Sequence, residues 1–129
     1  INAVQSHSTS NPTSFAQSGA VQALDGPQDH LKSWLNEFSK RRSFAFERLN
    51  SMKNISCVNA QGAFYLFPNI SAIGWKSAQF CDELLSKAKV AAVPGIAFGS
   101  DDYIRISYAT SMENLEKGLW RLEGFVKSL

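Results

Sequence analysis

The segment SDDYIRISYATS, Ser100–Ser111, contains the clearest strand pattern in the chain. From Tyr103 to Tyr108 the residues alternate between two faces, and most are β-branched or aromatic, which is typical of a half-buried strand. One face would be apolar and would consist of Ile104, Ile106 and Tyr108. The opposite face would consist of Tyr103, Arg105 and Ser107. This second face would therefore carry a permanent positive charge, because the guanidinium of Arg105 does not lose its proton.

Helices and further strands are predicted on either side of this segment. Apolar periodicity and chain breakers predict helices over about residues 12–24, 28–52, 75–89 and 112–127. Strands are predicted over about residues 55–58, 63–67 and 90–93, in addition to 103–108. The order ααββαββα predicts an α+β fold, in which helices are layered on one face of a small antiparallel or mixed sheet of three to four strands.

Two helix starts have recognisable capping sequences. Asn11 before Pro12 predicts the start of the first helix, because asparagine caps free amides and proline fits the first helical position. Thr110 and Glu113 have the spacing of a capping box at the start of the last helix.

Length and composition indicate a single ordinary globular domain. The chain has 129 residues and a formal net charge of +2, which is too small to indicate nucleic acid or an anionic membrane as a partner. No apolar run approaches the roughly 18 residues of a transmembrane helix, and the first residues lack the pattern of a signal peptide. The chain begins at Ile1 rather than at a methionine, so we expect it to be a piece of something longer.

The cysteines and histidines show no metal-binding pattern. Cys57 and Cys81 lie far apart and outside any CxxC motif, so we interpret them as small buried hydrophobic residues in a reducing compartment. This interpretation favours the cytoplasm. His7 and His30 add no zinc-ligand spacing, and no metal site is predicted.

Three segments of the chain together point to a known family. They are SHSTSNPTSFAQ from Ser6, QGAFYLFP from Gln61, and VAAVPGIAFGSDDYIRISYATSMENLEKGL from Val90. In this order they resemble the C-terminal domain of a fold-type I aminotransferase that uses pyridoxal phosphate, most of all the bacterial aspartate/prephenate aminotransferase subgroup. The resemblance implies that residues 28–129 form the small domain of such an enzyme. Residues 1–27 would be a lead-in and short helix that join a large domain.

The resemblance implies a specific role for Arg105, which matches the family's arginine for the α-carboxylate of the amino acid substrate. A guanidinium suits that role, since its parallel N–H donors match both carboxylate oxygens. Holding the carboxylate would orient the substrate for reaction. Without the resemblance, an ordinary exposed charge on a strand face would be the better description of Arg105.

Four further residues match functional positions of the family. Phe64, in GAFY, matches an aromatic residue that forms a wall of the substrate pocket, although plain core packing would also account for it. Ser8, Thr9 and Ser10 match a segment near the dimer interface, close to the cofactor site of the partner subunit. They also fit a polar lead-in to a capped helix. His7 departs from the glutamine that is common in the family at its position.

The catalytic residues of the family are missing from this chain. The resemblance implies a Schiff-base lysine, a phosphate-binding arginine and glycine loop, and an aspartate for the pyridine nitrogen, all upstream of SHSTSNP. Without that lysine there is no covalent link to the cofactor, so we expect this chain alone to be inactive and to bind no pyridoxal phosphate. The intact enzyme would be a homodimer that transfers an amino group between an amino acid and a 2-oxo acid, with aspartate and 2-oxoglutarate favoured.

The alternative is a non-catalytic α+β module that binds an amino acid or a partner helix. Arg105 could hold a carboxylate in that case too. A free module would be monomeric and would unfold cooperatively, whereas a small domain without its large domain would expose an apolar patch.

Overall fold

The computed structural model describes all residues from Ile1 to Leu129. The chain divides into two compact units, Ile1–Trp34 and Leu35–Leu129. The first unit contains two short helices, α1 (Asn2–Ser8) and α2 (Ser14–Asp25), in which no residue is buried. Helix α3 (Asp29–Asn50) begins in the first unit and continues into the second.

The start of the chain differs from its prediction in two ways. Helix α1 forms where only a polar lead-in was expected, and α2 begins at Ser14 rather than at Pro12. The N-cap residue of α2 is Thr13, which is extended and makes no side-chain cap bond. The Pro12 carbonyl instead accepts a hydrogen bond from the Gln17 side-chain amide at 2.8 Å. The predicted Asn11 cap is therefore wrong.

Three short strands form the sheet of the second unit: β1 (Tyr65–Leu66), β2 (Val93–Pro94) and β3 (Ile104–Ser107). Strand β3 is central and antiparallel to both neighbours, so the strand order is β1-β3-β2. In the register, Tyr65 is opposite Ser107 and Val93 is opposite Arg105. The predicted α+β class is confirmed, and the segment with the clearest strand pattern is the one on which the sheet is built.

The strand predicted over residues 55–58 does not form. Only an isolated bridge between Ser56 and Asn69 is present. The side chain of Asn50 accounts for this, since it accepts a hydrogen bond from the Cys57 N–H at 2.9 Å and donates one to the Cys57 carbonyl at 3.1 Å. Because a side chain occupies both backbone groups of Cys57, that residue cannot join a strand ladder.

One apolar core joins the sheet to the helices of the second unit. Helix α4 (Ser77–Glu83) continues into a π-helical turn, Leu84–Ala88, and α5 spans Met112–Lys127. The core includes Ala45, Leu49, Leu66, Phe80, Leu84, Ile104, Tyr108, Leu119 and Leu122. Ile104 and Tyr108 are buried, as predicted for the apolar face of β3. None of the helices has the length and apolar character needed to cross a membrane.

Helix α3 is buried only in its second half, because Leu31, Trp34 and Leu35 are 40%, 58% and 65% exposed. The predicted cap of the last helix is wrong. Helix α5 is capped by Ser111 rather than by Thr110. The Ser111 hydroxyl accepts a hydrogen bond from the Asn114 N–H at 3.3 Å. Both hydroxyl residues suit an N-cap, and Ser111 is the one that takes the position.

Gly95 allows the segment before β3 to approach that strand closely. Its N–H donates to the Tyr103 carbonyl at 2.8 Å, and its carbonyl accepts from the Ser100 N–H at 3.0 Å. A Cβ atom on Gly95 would lie 2.3 Å from the carbonyl oxygens of both Ser100 and Tyr103. Only glycine therefore fits this position without moving the backbone.

The substitution Gly95→Ala should lower the free energy of unfolding by about 1–3 kcal/mol, because the added methyl group collides with two backbone oxygens. Gly118→Ala is the matched control, since a Cβ there meets no heavy atom within 4 Å. In helix α5 the control should stabilise the protein by roughly 0.5–1 kcal/mol. Urea unfolding measures the free energy of unfolding of both variants. An equal change in this free energy for the two substitutions would contradict the close approach at Gly95.

Candidate functional site

Arg105 lies on the central strand β3, between the buried Ile104 and the half-buried Ile106. Its side chain projects from the face opposite the core residues Ile104 and Tyr108. Strand β2 pairs with β3 at Arg105 itself, through Val93, and β1 pairs on the other side. Because both neighbouring strands hold the backbone of β3, the position from which the half-buried Arg105 side chain extends is well defined.

Two aromatic rings contact the guanidinium of Arg105. Its central carbon is 4.3 Å from the centroid of the Tyr65 ring and 4.5 Å from that of the Phe98 ring. Both distances lie within the range of a cation–π interaction. Aromatic rings are attracted to the charge without using the strong N–H donors, so these contacts orient the guanidinium and leave its donors free.

No carboxylate of the chain neutralises Arg105. The six ion pairs of the structure all involve other cations. The guanidinium hydrogen bonds are made by Arg42, to the Ala60 carbonyl, and by Arg48, to Glu123. A half-buried cation with free donors is suited to bind an anion from outside the chain, and the two oxygens of a carboxylate match its parallel N–H donors.

Further aromatic side chains extend this site. The Phe67 ring stacks on the Tyr103 ring, with centroids 5.0 Å apart and an interplanar angle of 8°, and its centroid lies 6.0 Å from that of Phe98. The Arg105 cluster is the group formed by Arg105 and the rings of Tyr65, Phe67, Phe98 and Tyr103. It presents one positive charge within an aromatic surface.

Sequence reasoning missed three members of the Arg105 cluster. Tyr65 begins β1 and Phe67 directly follows that strand, so the two are spaced by two positions, as Tyr103 and Arg105 are. The period-two pattern could therefore have placed Tyr65 and Phe67 on one face. Phe98 lies in a 3-10 turn, Gly95–Phe98, where no periodic pattern exists. Only the folded chain brings it to Arg105.

Phe64, the predicted pocket-wall residue, directly precedes β1. Its side chain is 42% exposed, which argues against plain core packing. Its ring centroid is 4.6 Å from that of Tyr65 and 6.3 Å from that of Phe38. The structure therefore brings Phe64 next to a ring that contacts Arg105. Its role as a wall of a substrate pocket stays a prediction.

Ser8, Thr9 and Ser10 belong to the first unit and are exposed. Ser8 is the last residue of α1, and the Thr9 hydroxyl donates to the Gln5 carbonyl at 3.3 Å. Ser10 has a φ of 59°, in the left-handed region. Their predicted place near a dimer interface and a cofactor stays a prediction.

A hydrogen-bond network at the start of α4 holds the turn that carries Phe98. The Asp101 carboxylate accepts from the Ser77 hydroxyl at 2.6 Å and from the Ser77 N–H at 3.0 Å. The buried Ser77 hydroxyl oxygen also accepts from the Ile96 N–H at 3.2 Å, within the turn. This network therefore ties the turn that carries Phe98 to the start of α4.

The same contacts affect the ionisation of Asp101. The hydrogen bond from the Ser77 hydroxyl has the largest effect and lowers the pKa of the Asp101 carboxyl below its usual value. The Ser77 N–H and the Lys76 ammonium, 3.5 Å away, act in the same direction, whereas burial opposes them. The ionised form of Asp101 is thus the one that stabilises the fold.

The cysteines offer no activated nucleophile. Burial raises the pKa of the Cys81 thiol to about 11, and burial also raises the pKa of the Cys57 thiol. Both thiols are therefore mostly protonated at neutral pH, and only the thiolate is a good nucleophile. Both cysteines are free, and no group of histidine, cysteine and acidic side chains is placed to hold a metal ion. The Arg105 cluster is the candidate site.

Comparisons with known sequences point to one family. The family model described as "Aminotransferase class I and II" matches residues 1–122. A probable aspartate/prephenate aminotransferase from Rickettsia felis is 47% identical over 130 residues, which cover 93% of this chain and 32% of that protein. The aspartate aminotransferase from Bacillus subtilis is 44% identical over 127 residues, covering 95% of this chain and 32% of that protein. The chain thus spans about a third of the length of these relatives.

Solved structures agree with the sequence comparisons. The crystal structure of the aspartate aminotransferase from Rhizobium meliloti has a TM-score of 0.92 at 38% identity, over 97% of this chain and 34% of that chain. The aromatic aminotransferase from Pyrococcus horikoshii has a TM-score of 0.93 at 37% identity, over 98% of this chain and 35% of that chain. The backbone is therefore similar to parts of these enzymes along almost its whole length.

The substitution Asp101→Asn should lower the melting temperature at neutral pH, because the hydrogen bonds from Ser77 at the start of α4 would no longer be accepted by a charged carboxylate. A carboxyl whose pKa is lowered by folding stabilises the protein above its unfolded pKa of about 3.9, and this stabilisation is lost as the pH falls through the folded pKa. The difference in melting temperature between wild type and variant should therefore shrink as the pH is lowered from 7 to 3.

The exposed neighbour Asp102 provides the matched control. Asp102→Asn removes the same charge one residue away, and it should change the melting temperature less at pH 7. If the difference in melting temperature between wild type and Asp101→Asn is the same at pH 7 and pH 3, the charge of Asp101 does not contribute to stability.

Proposed function

The chain belongs to the aminotransferase class I and II family, and we propose that it is part of a pyridoxal-phosphate-dependent enzyme that moves an amino group between an amino acid and a 2-oxo acid. Aspartate and 2-oxoglutarate are the proposed pair. Relatives named aspartate/prephenate aminotransferase and aspartate aminotransferase, at 47% and 44% identity, support aspartate as the amino donor. The family match along residues 1–122 favours this function over a non-catalytic binding module.

The observation that carries the proposal is the unpaired guanidinium of Arg105, held by the rings of Tyr65 and Phe98. In this proposal Arg105 binds the α-carboxylate of the substrate through two parallel N–H donors. A substrate anchored at its carboxylate has few orientations left, so its Cα–H bond and amino group are presented to the reacting groups at a defined angle. A lysine would supply the charge without the second donor, and would orient the substrate less well.

The Arg105 cluster is not by itself a binding site for pyridoxal phosphate. That cofactor needs an amine for the Schiff base, donors for its phosphate and an acid near its pyridine nitrogen, whereas the cluster offers one guanidinium and four rings. We therefore place these groups in the part of the enzyme that corresponds to the other two thirds of the relatives' length. This chain contributes carboxylate binding and no catalytic residue.

The remaining parts of the proposal rest on the family resemblance. The intact enzyme would be a homodimer, with Ser8, Thr9 and Ser10 near the interface and the partner's cofactor site. Phe64 would form part of the wall around the substrate side chain, which its exposure of 42% permits. The cytoplasm is the proposed location.

Arg105→Ala in the full-length enzyme should reduce kcat/KM for the amino acid donor by about two to four powers of ten, because the carboxylate loses its charged partner. The kcat/KM of Arg105→Lys should lie between those of Arg105→Ala and the wild type. Arg121→Ala, which removes a half-buried arginine of α5 outside the Arg105 cluster, should change kcat/KM by less than about twofold. Steady-state kinetics with several amino acids measure these ratios. A loss below threefold for Arg105→Ala with all of them would refute the assignment.

A further inference from the structure

A turn in an unfavourable backbone conformation precedes strand β1. Ala63 has a φ of 57°, in the left-handed region that residues other than glycine seldom adopt. Gln61, Gly62 and Ala63 are all exposed, so packing does not hold this turn in place. The next two residues are Phe64 and Tyr65, and the Tyr65 ring contacts Arg105. The conformation at Ala63 therefore sets the direction in which the chain enters β1, where Tyr65 pairs with Ser107 of β3.

Tyr108 supplies the hydrogen bonds that hold this turn. Its hydroxyl donates to the Ala63 carbonyl at 2.8 Å, and its backbone N–H donates to the Phe64 carbonyl at 3.0 Å. Two successive carbonyls of the turn are thus bound to one residue. Only the first of these bonds depends on the tyrosine side chain, and phenylalanine would remove it while leaving the ring in the core.

Tyr108 also connects the turn to the strand that carries Arg105. It lies three positions after Arg105, directly after β3, and its side chain is only 2% exposed. Its ring centroid is 6.2 Å from that of Phe38, which in turn lies 6.3 Å from that of Phe64. Because Tyr108 is buried, it does not reach a substrate, and any effect on binding passes through Phe64 and Tyr65.

We propose that the Tyr108 hydroxyl positions the substrate site: it holds the Ala63 turn so that the Tyr65 ring keeps the Arg105 guanidinium oriented towards the α-carboxylate. This inference rests on the proposed function. A carboxylate bound by Arg105 is bound both before and during the reaction, so a less well oriented guanidinium weakens substrate binding more than it slows the chemical step. The expected signature is a raised KM with a nearly unchanged kcat.

The test uses the full-length enzyme with its amino acid donor. Tyr108→Phe should raise KM about three- to tenfold and leave kcat within about twofold of the wild type. The fold should be retained, because the exposed Ala63 segment can bond to water instead. Ala63→Gly added to Tyr108→Phe should bring KM back to within about twofold of the wild type, since glycine adopts a positive φ without strain.

Ser51→Ala is the control for the loss of a hydroxyl. The Ser51 hydroxyl also donates to a backbone carbonyl, that of Arg48 at 2.7 Å, but it lies outside the Arg105 cluster. This variant should have the KM of the wild type. A raised KM in Ser51→Ala equal to that in Tyr108→Phe would overturn the inference.

The remaining outcomes separate the inference from the proposed function. An active wild type with reduced kcat/KM in Arg105→Ala, but an unchanged KM in Tyr108→Phe, would overturn the inference alone. A raised KM that Ala63→Gly does not restore would also overturn it, because the hydroxyl would then act through another contact. A full-length wild type without aminotransferase activity would overturn the proposed function and this inference with it.

Discussion

The candidate site of the second unit depends on a positive charge that has no counter-ion within the chain. Arg105 stands on the central strand, and its guanidinium is flanked by the rings of Tyr65 and Phe98. Ring contacts attract and orient a cation but do not satisfy its N–H donors. The half-buried guanidinium therefore keeps its capacity to bind an anion, and a carboxylate is the anion whose two oxygens match its shape.

The segments that carry the two rings are held by two separate sets of hydrogen bonds, which lie in different parts of the fold. Tyr65 follows the Ala63 turn, which Tyr108 holds through its hydroxyl. Phe98 lies in a turn fixed by the hydrogen bonds among Ser77, Asp101 and Ile96. Neither support is formed by the Arg105 cluster itself, so we infer that the orientation of the guanidinium depends in part on residues outside that cluster. Site geometry and fold stability are thus partly determined by the same hydrogen bonds.

Local pattern was sufficient to predict β3, the α+β class and the face that carries Arg105, because alternation over six residues is characteristic of a strand with one buried face. Features determined by distant partners could not be predicted in this way. The absent strand near Cys57 results from the Asn50 side chain, and the approach of Phe98 to Arg105 results from the packing of a 3-10 turn. The role of Arg105 came from a resemblance, since charge and burial alone describe an anion site without naming its substrate.

Binding of the α-carboxylate of an amino acid by Arg105 is the central claim. The most direct test is a crystal structure of the full-length protein with a bound amino acid substrate or a non-reactive analogue of it. We expect both carboxylate oxygens to lie about 2.7–2.9 Å from guanidinium nitrogens of Arg105, with the rings of Tyr65 and Phe98 still beside it. A carboxylate bound by other residues, with Arg105 turned towards solvent or paired with a carboxylate of the protein, would contradict this claim.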